Sequence, residues 1–271
     1  MKRYGVDIES ESAWNHLASE YVSNLRNDYH RHRLQVIDAL IPGHLFSAEK
    51  VIFDFGCGDA IHFLKFINCG AQVSGCDVSL EMVALGKQRL SNNNASIDLV
   101  SKGDISHLAN LEDKSLDALL SFNVLAYMTH DECDVFYREA NRLLRPGGSL
   151  IVTHSNLLFD MYSLNSYTIE FFANHLCQDE VLKVKIRQLI TDNTEKVDDK
   201  SYNVRENPLT YKFKLAKYGF LEKRQEFINL HPVPPSIIRD KVYFDTLNWN
   251  EDERWKLMFI CSTFGSLSIR D

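Results

Sequence analysis

The chain has no excess of positive charge: 30 Lys and Arg stand against 37 Asp and Glu, giving a formal net charge of −7. A broad nucleic-acid surface needs a basic excess to displace counterions, so that class of partner is not expected. The sequence also lacks an apolar run long enough to span a bilayer, and the opening MKRYGVDIESESAW lacks the apolar core of a signal peptide. No membrane association is expected, and the cytoplasm is the expected compartment. Its six cysteines, Cys57, Cys69, Cys76, Cys133, Cys177 and Cys261, never form a C-x-x-C pair. They read as free thiols of a reducing compartment, neither a disulfide framework nor a zinc site. Repeats and low-complexity tracts are missing too. What remains is a chain of 271 residues, 45% hydrophobic, which suffices for one α/β domain with insertions.

The densest information lies in Lys50–Phe66, KVIFDFGCGDAIHFLKF. Val51-Ile52-Phe53 has the length and branching of a buried strand. Gly56 and Gly58 allow a tight turn and close approach of backbone to a ligand, and the helix that follows presents free N–H groups at its start. A phosphate-binding P-loop would close with Lys-Ser/Thr, which does not follow Gly58. A dinucleotide fingerprint would place a third glycine where Ile61 stands, and Asp59 would sit badly beside a pyrophosphate. Asp54, two residues ahead of Gly56, is the decisive detail: a carboxylate there suits a cofactor carrying an ammonium and a sulfonium rather than a diphosphate.

DFGCGDA resembles the glycine-rich motif of the class I S-adenosylmethionine-dependent methyltransferases, D/E-x-G-x-G-x-G, with Ala60 in place of the last glycine and one methyl group added near the ligand. Further motifs of that family follow in register over Val51–Thr153. After a strand at Gln72–Cys76, GCDVS places Asp77 and Val78 at the family's ribose-binding position. After a strand at Ile97–Lys102, Gly103-Asp104-Ile105 matches the adenine side. LDALLSFN, Leu116–Asn123, matches the fourth strand, whose end at Phe122 and Asn123 meets the methionine moiety, and LLRPGGSLIV, Leu143–Val152, matches the fifth. The resemblance implies S-adenosyl-L-methionine as cofactor, held by Asp54, Gly56, Cys57, Gly58, Asp77, Val78, Asp104, Ile105, Phe122 and Asn123. Tyr21 is added by a looser likeness to tyrosines that reach the cofactor carboxylate. It also implies a doubly wound, Rossmann-like α/β fold with seven strands, mostly parallel, the last antiparallel.

Around that core the chain divides into an N-terminal helical cap (1–49), the cofactor-binding core (50–156), an insertion (157–217) and the C-terminal part of the sheet (218–271). Trp14, Leu17, Ala18 and Tyr21 recur at helix spacing, as do Leu34, Ile37 and Leu40-Ile41, and Pro42-Gly43 ends the element. The basic run His30-Arg31-His32-Arg33 reads as a solvated helix face. In the insertion, an amphipathic stretch from Tyr167 to Leu189 precedes a polar segment at Thr191–Lys200 and a helix start at Asn207-Pro208. A lid over the acceptor and a dimerisation or packing arm are both open readings. Gly219–Asn229 predicts a strand, Trp249–Phe264 a helix and Gly265–Arg270 a final strand, with a stiff proline loop at His231–Ser236.

Methyl transfer from a sulfonium is an in-line displacement of an activated group, so alignment and exclusion of water dominate. A general base helps where the acceptor is a hydroxyl or a protonated amine. His154, directly after the fifth strand, and Tyr127, after the fourth, are the catalytic candidates; a structural role for His154 is the alternative. His62 and His231 are weaker candidates. No Asn/Asp-Pro-Pro-Tyr/Phe follows the fourth strand, and His154-Ser155-Asn156 supplies no carboxylate, so neither amino-methylation of adenine nor a magnesium-assisted reaction is expected. The expectation is a small-molecule acceptor, methylated on O or N, and a monomer or homodimer. The sugar and natural-product classes are included, and a non-catalytic cofactor-binding scaffold and a nicotinamide-dependent dehydrogenase remain the alternatives.

Overall fold

A computed structural model describes residues 10–24, 28–162, 180, 184, 203–230 and 246–271. Two helices come first, α1 (Ser10–Asn24) and α2 (Asp28–Leu40). Along α2, Arg33, Val36, Ile37 and Leu40 are buried, a single stripe at helix spacing turned to the core. Seven strands then form one sheet: β1 (Val51–Phe55), β2 (Gln72–Asp77), β3 (Val100–Lys102), β4 (Leu116–Ser121), β5 (Leu144–Ser155), β6 (Phe220–Leu230) and β7 (Cys261–Arg270), in the order β3-β2-β1-β4-β5-β7-β6. Pairing is parallel from β3 through β5, and β7 runs antiparallel to both its neighbours, as expected for the last strand.

Both faces of the sheet are covered, and the period of two along each strand sorts the side chains. Phe53, Leu119, Leu150 and Val152 join one apolar layer with Phe136 and Tyr137 of α5 (His130–Leu143). Ile52, Leu120 and Ile151 join the other, with Phe63 and Phe66 of α3 (Phe63–Asn68) and Leu90 of α4 (Leu80–Asn92). α4 is capped by Ser79, whose hydroxyl accepts from Met82 N, and α5 by a capping box between Thr129 and Glu132. Because β1 lies between β2 and β4, the connections leave it in opposite directions, which opens a crevice beyond the carboxyl ends of β1 and β4.

Three expected elements are corrected. Ile97–Leu99 is a 3-10 turn, started by Ser96 accepting from Asp98 N, so the third strand is only Val100–Lys102. The helix expected at Trp249–Phe264 breaks up: a 3-10 turn at Glu251–Lys256 leads into α8 (Leu257–Ile260), numbered after α6 (Leu157–Tyr162) and α7 (Tyr211–Lys217), and β7 begins at Cys261. From there Thr263 pairs with Ser155 on one side and Ile228 on the other, so sheet pairing overrides the helical spacing of the apolar residues. Asn207–Thr210 forms a turn in which Asn207 Oδ1 accepts from Leu209 N, and α7 starts only at Tyr211. The segments Tyr167–Leu189, Thr191–Lys200 and His231–Ser236 lie outside the described residues. The insertion returns to the core beside β4, where Asn203 N and Val204 N both donate to Ala126 O.

Candidate functional site

The loop after β1 is built for close packing against β4. Gly56 and Gly58 have φ of 74° and 53°, in the left-handed region. A Cβ on Gly56 would fall 2.1 Å from Val124 Cγ2, so no other residue fits without moving the wall. Gly56 N and Cys57 N both donate to Cys76 O, and Gly58 N donates to Asp77 Oδ2 at 2.8 Å. Asp77 Oδ1 also accepts from Ser79 N at 2.9 Å, so one carboxylate ties the glycine loop to the start of α4. Burial holds the Asp77 carboxyl above its usual range in spite of these two N–H bonds. Each Asp77 oxygen keeps a lone pair for a further donor.

Around this loop lies a cavity of about 170 Å³ whose walls include Tyr21, Asp77, Val78, Ile105, Asn123 and Tyr127. Trp14 lines it as well and sits edge-on to both Tyr21 and Tyr127, at 5.8 and 5.3 Å between ring centroids. α1 is held over the cavity mouth by Asn15, whose Oδ1 accepts from Ser79 Oγ at 2.7 Å. At the far end, Asp104 accepts from Ser106 N and Oγ, which keeps its carboxyl below the usual range.

A smaller cavity shares Tyr21, Gly56, Gly58, Phe122 and Asn123 with the first and adds Arg33, Asp54 and His62. Arg33 is 6% exposed; its guanidinium donates to Tyr21 Oη at 2.8 Å, while its buried Nε has no partner. No carboxylate pairs with it among the described residues. Asp54 is 2% exposed, and its Oδ1 likewise lacks a partner. Burial first and the neighbouring Asp77 second push the Asp54 carboxyl up to about 7. A buried cation and a buried carboxyl group thus line one cavity without pairing with each other, a costly arrangement in a folded chain. His62 stands at the start of α3 beside Phe122, and burial lowers it to about 3, so it is neutral.

The methyltransferase-domain family matches residues 53–152. Over 136 residues the chain is 24% identical to the ubiquinone biosynthesis O-methyltransferase of Azoarcus sp. (strain BH72), covering 50% of this chain and 57% of that protein. Over 106 residues it is 28% identical to the demethylmenaquinone methyltransferase of Tropheryma whipplei (strain Twist), covering 39% of this chain and 42% of the relative. The matches thus span about half the length of these curated relatives. The fold is similar to that of magnesium protoporphyrin IX methyltransferase from Synechocystis PCC 6803, solved with bound S-adenosylhomocysteine: TM-score 0.60, 16% identity, 97% of this chain and 98% of that one.

Of the residues expected to hold a cofactor in the methyltransferase domain and its cap, Tyr21, Gly56, Gly58, Asp77, Val78, Asp104, Ile105, Phe122 and Asn123 line the larger cavity. Asp54 and Cys57 line the smaller one. Tyr127 lines the larger cavity; His154 does not. His154 is buried on the opposite side of β5, its Nε2 2.8 Å from Tyr211 Oη and 3.4 Å from Tyr137 Oη, and burial pushes it well below its ordinary pKa. Strand alternation explains the correction: His154 shares a face with Leu150 and Val152, whereas Thr153 faces the loop after β4. The added methyl of Ala60 is also not at the ligand side. It is fully buried, and a Cβ on Gly86 of α4 would lie 3.5 Å from it. The basic run His30–Arg33 is not a uniformly solvated face, since Arg33 is buried. Its helical spacing to Ile37 and Leu40 was the available signal that it faces inward.

Proposed function

We propose that the protein transfers a methyl group from S-adenosyl-L-methionine to a small-molecule acceptor. The observation that carries this reading is the unpaired couple of Arg33 and Asp54 in the smaller cavity, with Asp77 beyond it in the larger. A zwitterionic amino-acid group followed by a ribose diol meets these groups in that order.

In this reading Arg33 donates to the cofactor carboxylate through the N–H groups that Tyr21 leaves uncommitted, and Asp54 accepts from its ammonium. Asp77 accepts from the ribose hydroxyls. Val78 and Ile105 pack against the adenine, and Asp104 accepts from its amino group. When bound, the cofactor supplies a methyl group on a sulfonium, already activated for displacement. The protein's own work is then to orient the acceptor and exclude water. Trp14 and Tyr127 form an aromatic wall suited to a flat ring, and Tyr127 is the group we assign to hydrogen-bonding the acceptor. The names of the curated relatives, ubiquinone biosynthesis O-methyltransferase and demethylmenaquinone methyltransferase, support a ring-bearing acceptor. The insertion (157–217), rooted at Ala126 and with Asn203 Nδ2 donating to Tyr127 O, is assigned as the lid on the acceptor side.

Two titrations test the proposal: S-adenosylhomocysteine by calorimetry, then labelled cofactor against a panel of ring-bearing hydroxyl and amine acceptors. Micromolar binding with turnover of a panel member is expected. Binding without turnover of any acceptor would favour a cofactor-binding scaffold, and no binding would overturn the reading.

A further inference from the structure

β5 carries a second polar residue at the cavity end, on the face opposite His154. Thr153 is 1% exposed, and its Oγ1 accepts from Asn123 N at 2.8 Å. Its hydroxyl proton remains to be donated, and Asn123 Oδ1 accepts it at 3.4 Å. Asn123 has φ of 58°, a left-handed conformation that costs an L residue strain and that Asn tolerates better than most. It lines both cavities. Thr153 therefore engages the main-chain N–H and the carboxamide oxygen of Asn123, while the carboxamide Nδ2 has no partner among the described residues.

We infer that Thr153 is a positioning residue: its hydroxyl fixes Asn123 so that the Nδ2 donors serve the carboxylate end of the cofactor, beside Arg33. The inference rests on the proposed cofactor. Three features combine in it. A buried hydroxyl makes two contacts to one residue, that residue is held at a backbone angle needing support, and its carboxamide Nδ2, without a partner among the described residues, belongs to a side chain that lines the same cavity as Arg33. A threonine that merely packed would have no need of the second contact, and an asparagine that merely turned the chain would be replaceable by glycine without loss.

The test is a calorimetric set using S-adenosylhomocysteine and methylthioadenosine, which lacks the amino-acid end. Thr153→Val is expected to weaken S-adenosylhomocysteine about tenfold, with methylthioadenosine changed less than about twofold. Thr153→Ser keeps the hydroxyl and is expected to restore binding to within about threefold. In an Asn123→Gly background, Thr153→Val is expected to add less than about twofold, because the residue it positions is gone. Unchanged S-adenosylhomocysteine binding by Thr153→Val would overturn the inference. So would equal loss of both ligands, or a tenfold effect that persists beside Asn123→Gly. If the unaltered chain binds S-adenosylhomocysteine and these outcomes appear, only the inference falls; if it binds neither ligand, the proposed function falls with it.

Discussion

Two buried polar clusters lie on opposite faces of the same sheet, and they are finished differently. On one side Tyr137, Tyr211 and His154 close on each other, with Tyr137 Oη 2.8 Å from Tyr211 Oη and Tyr211 Oη 2.8 Å from His154 Nε2, and no buried polar atom of the three is left without a partner. On the other, Arg33 Nε and Asp54 Oδ1 are buried without one. A satisfied network stabilises a fold and fixes the seat of α7. Unsatisfied groups cost stability, and others lie away from the site, Ser149 Oγ and Arg270 Nε among them; what sets Arg33 and Asp54 apart is that opposite charges face one cavity without pairing. The contrast, more than the mere presence of ionisable residues, separates the site from the scaffold. It also removes His154 from the chemistry despite its place at the end of a cavity-facing strand.

The sharpest way to break the contrast is at Asp77. Asp77→Ala removes the proposed ribose acceptor and releases Gly58 N and Ser79 N, and is expected to weaken S-adenosylhomocysteine by about a hundredfold or more in calorimetry. Retained binding would separate Asp77 from the ligand.

Next comes Arg33→Met, which keeps the length of the side chain and removes the unpaired charge. Loss of a charge-assisted contact, about 2 kcal/mol, corresponds to roughly thirtyfold weaker binding. The melting temperature of the empty protein is expected to stay level or rise, since no folded-state carboxylate is orphaned by the change. A fall in stability with no change in binding would make Arg33 a scaffold residue.

The third prediction is a pH dependence. Asp54 in the empty protein titrates at about 7, above the usual carboxylate range. A bound ammonium favours the ionised form and lowers that value, so binding releases a proton wherever the empty site holds one. Affinity is therefore fully present above pH 7 and is lost as the pH falls through it, by about tenfold between pH 8 and pH 6. Asp54→Asn is expected to flatten that slope; a slope unaltered by the substitution would assign it to another group.

The smallest effect on binding belongs to the satisfied cluster. Tyr211→Phe leaves Tyr137 Oη and His154 Nε2 at 3.4 Å to bond each other. It is expected to cost about 1 kcal/mol of stability, read as a lower melting temperature, with S-adenosylhomocysteine affinity changed less than about twofold.

The glycine loop, the acids Asp54, Asp77 and Asp104 within or just past the ends of β1, β2 and β3, and the alternation of strands and helices through the core were legible because each is local: a short run, a turn residue and a fixed offset to the next strand. Three things were not. Which face of β5 meets the cavity depends on the register with β4, and one residue of offset exchanges His154 for Thr153. The Trp249–Phe264 stretch has helical apolar spacing, but pairing with two strands distant in the chain takes its second half into the sheet. Arg33 was hidden by its neighbours: a charge beside three other basic or titratable residues suggests solvent, although its phase along α2 places it with Ile37 and Leu40. In the first two cases the deciding contact is long-range in sequence; in the third the deciding signal is local.

The most direct test of the account compares S-adenosylhomocysteine with methylthioadenosine on the unaltered chain and on Arg33→Met. The amino-acid end is the only part that Arg33 and Asp54 are said to hold. S-adenosylhomocysteine is expected to bind the unaltered chain much more tightly than methylthioadenosine, and Arg33→Met to narrow the gap roughly thirtyfold while methylthioadenosine is unaffected. Equal binding of the two ligands by the unaltered chain, or a gap untouched by the substitution, would contradict it.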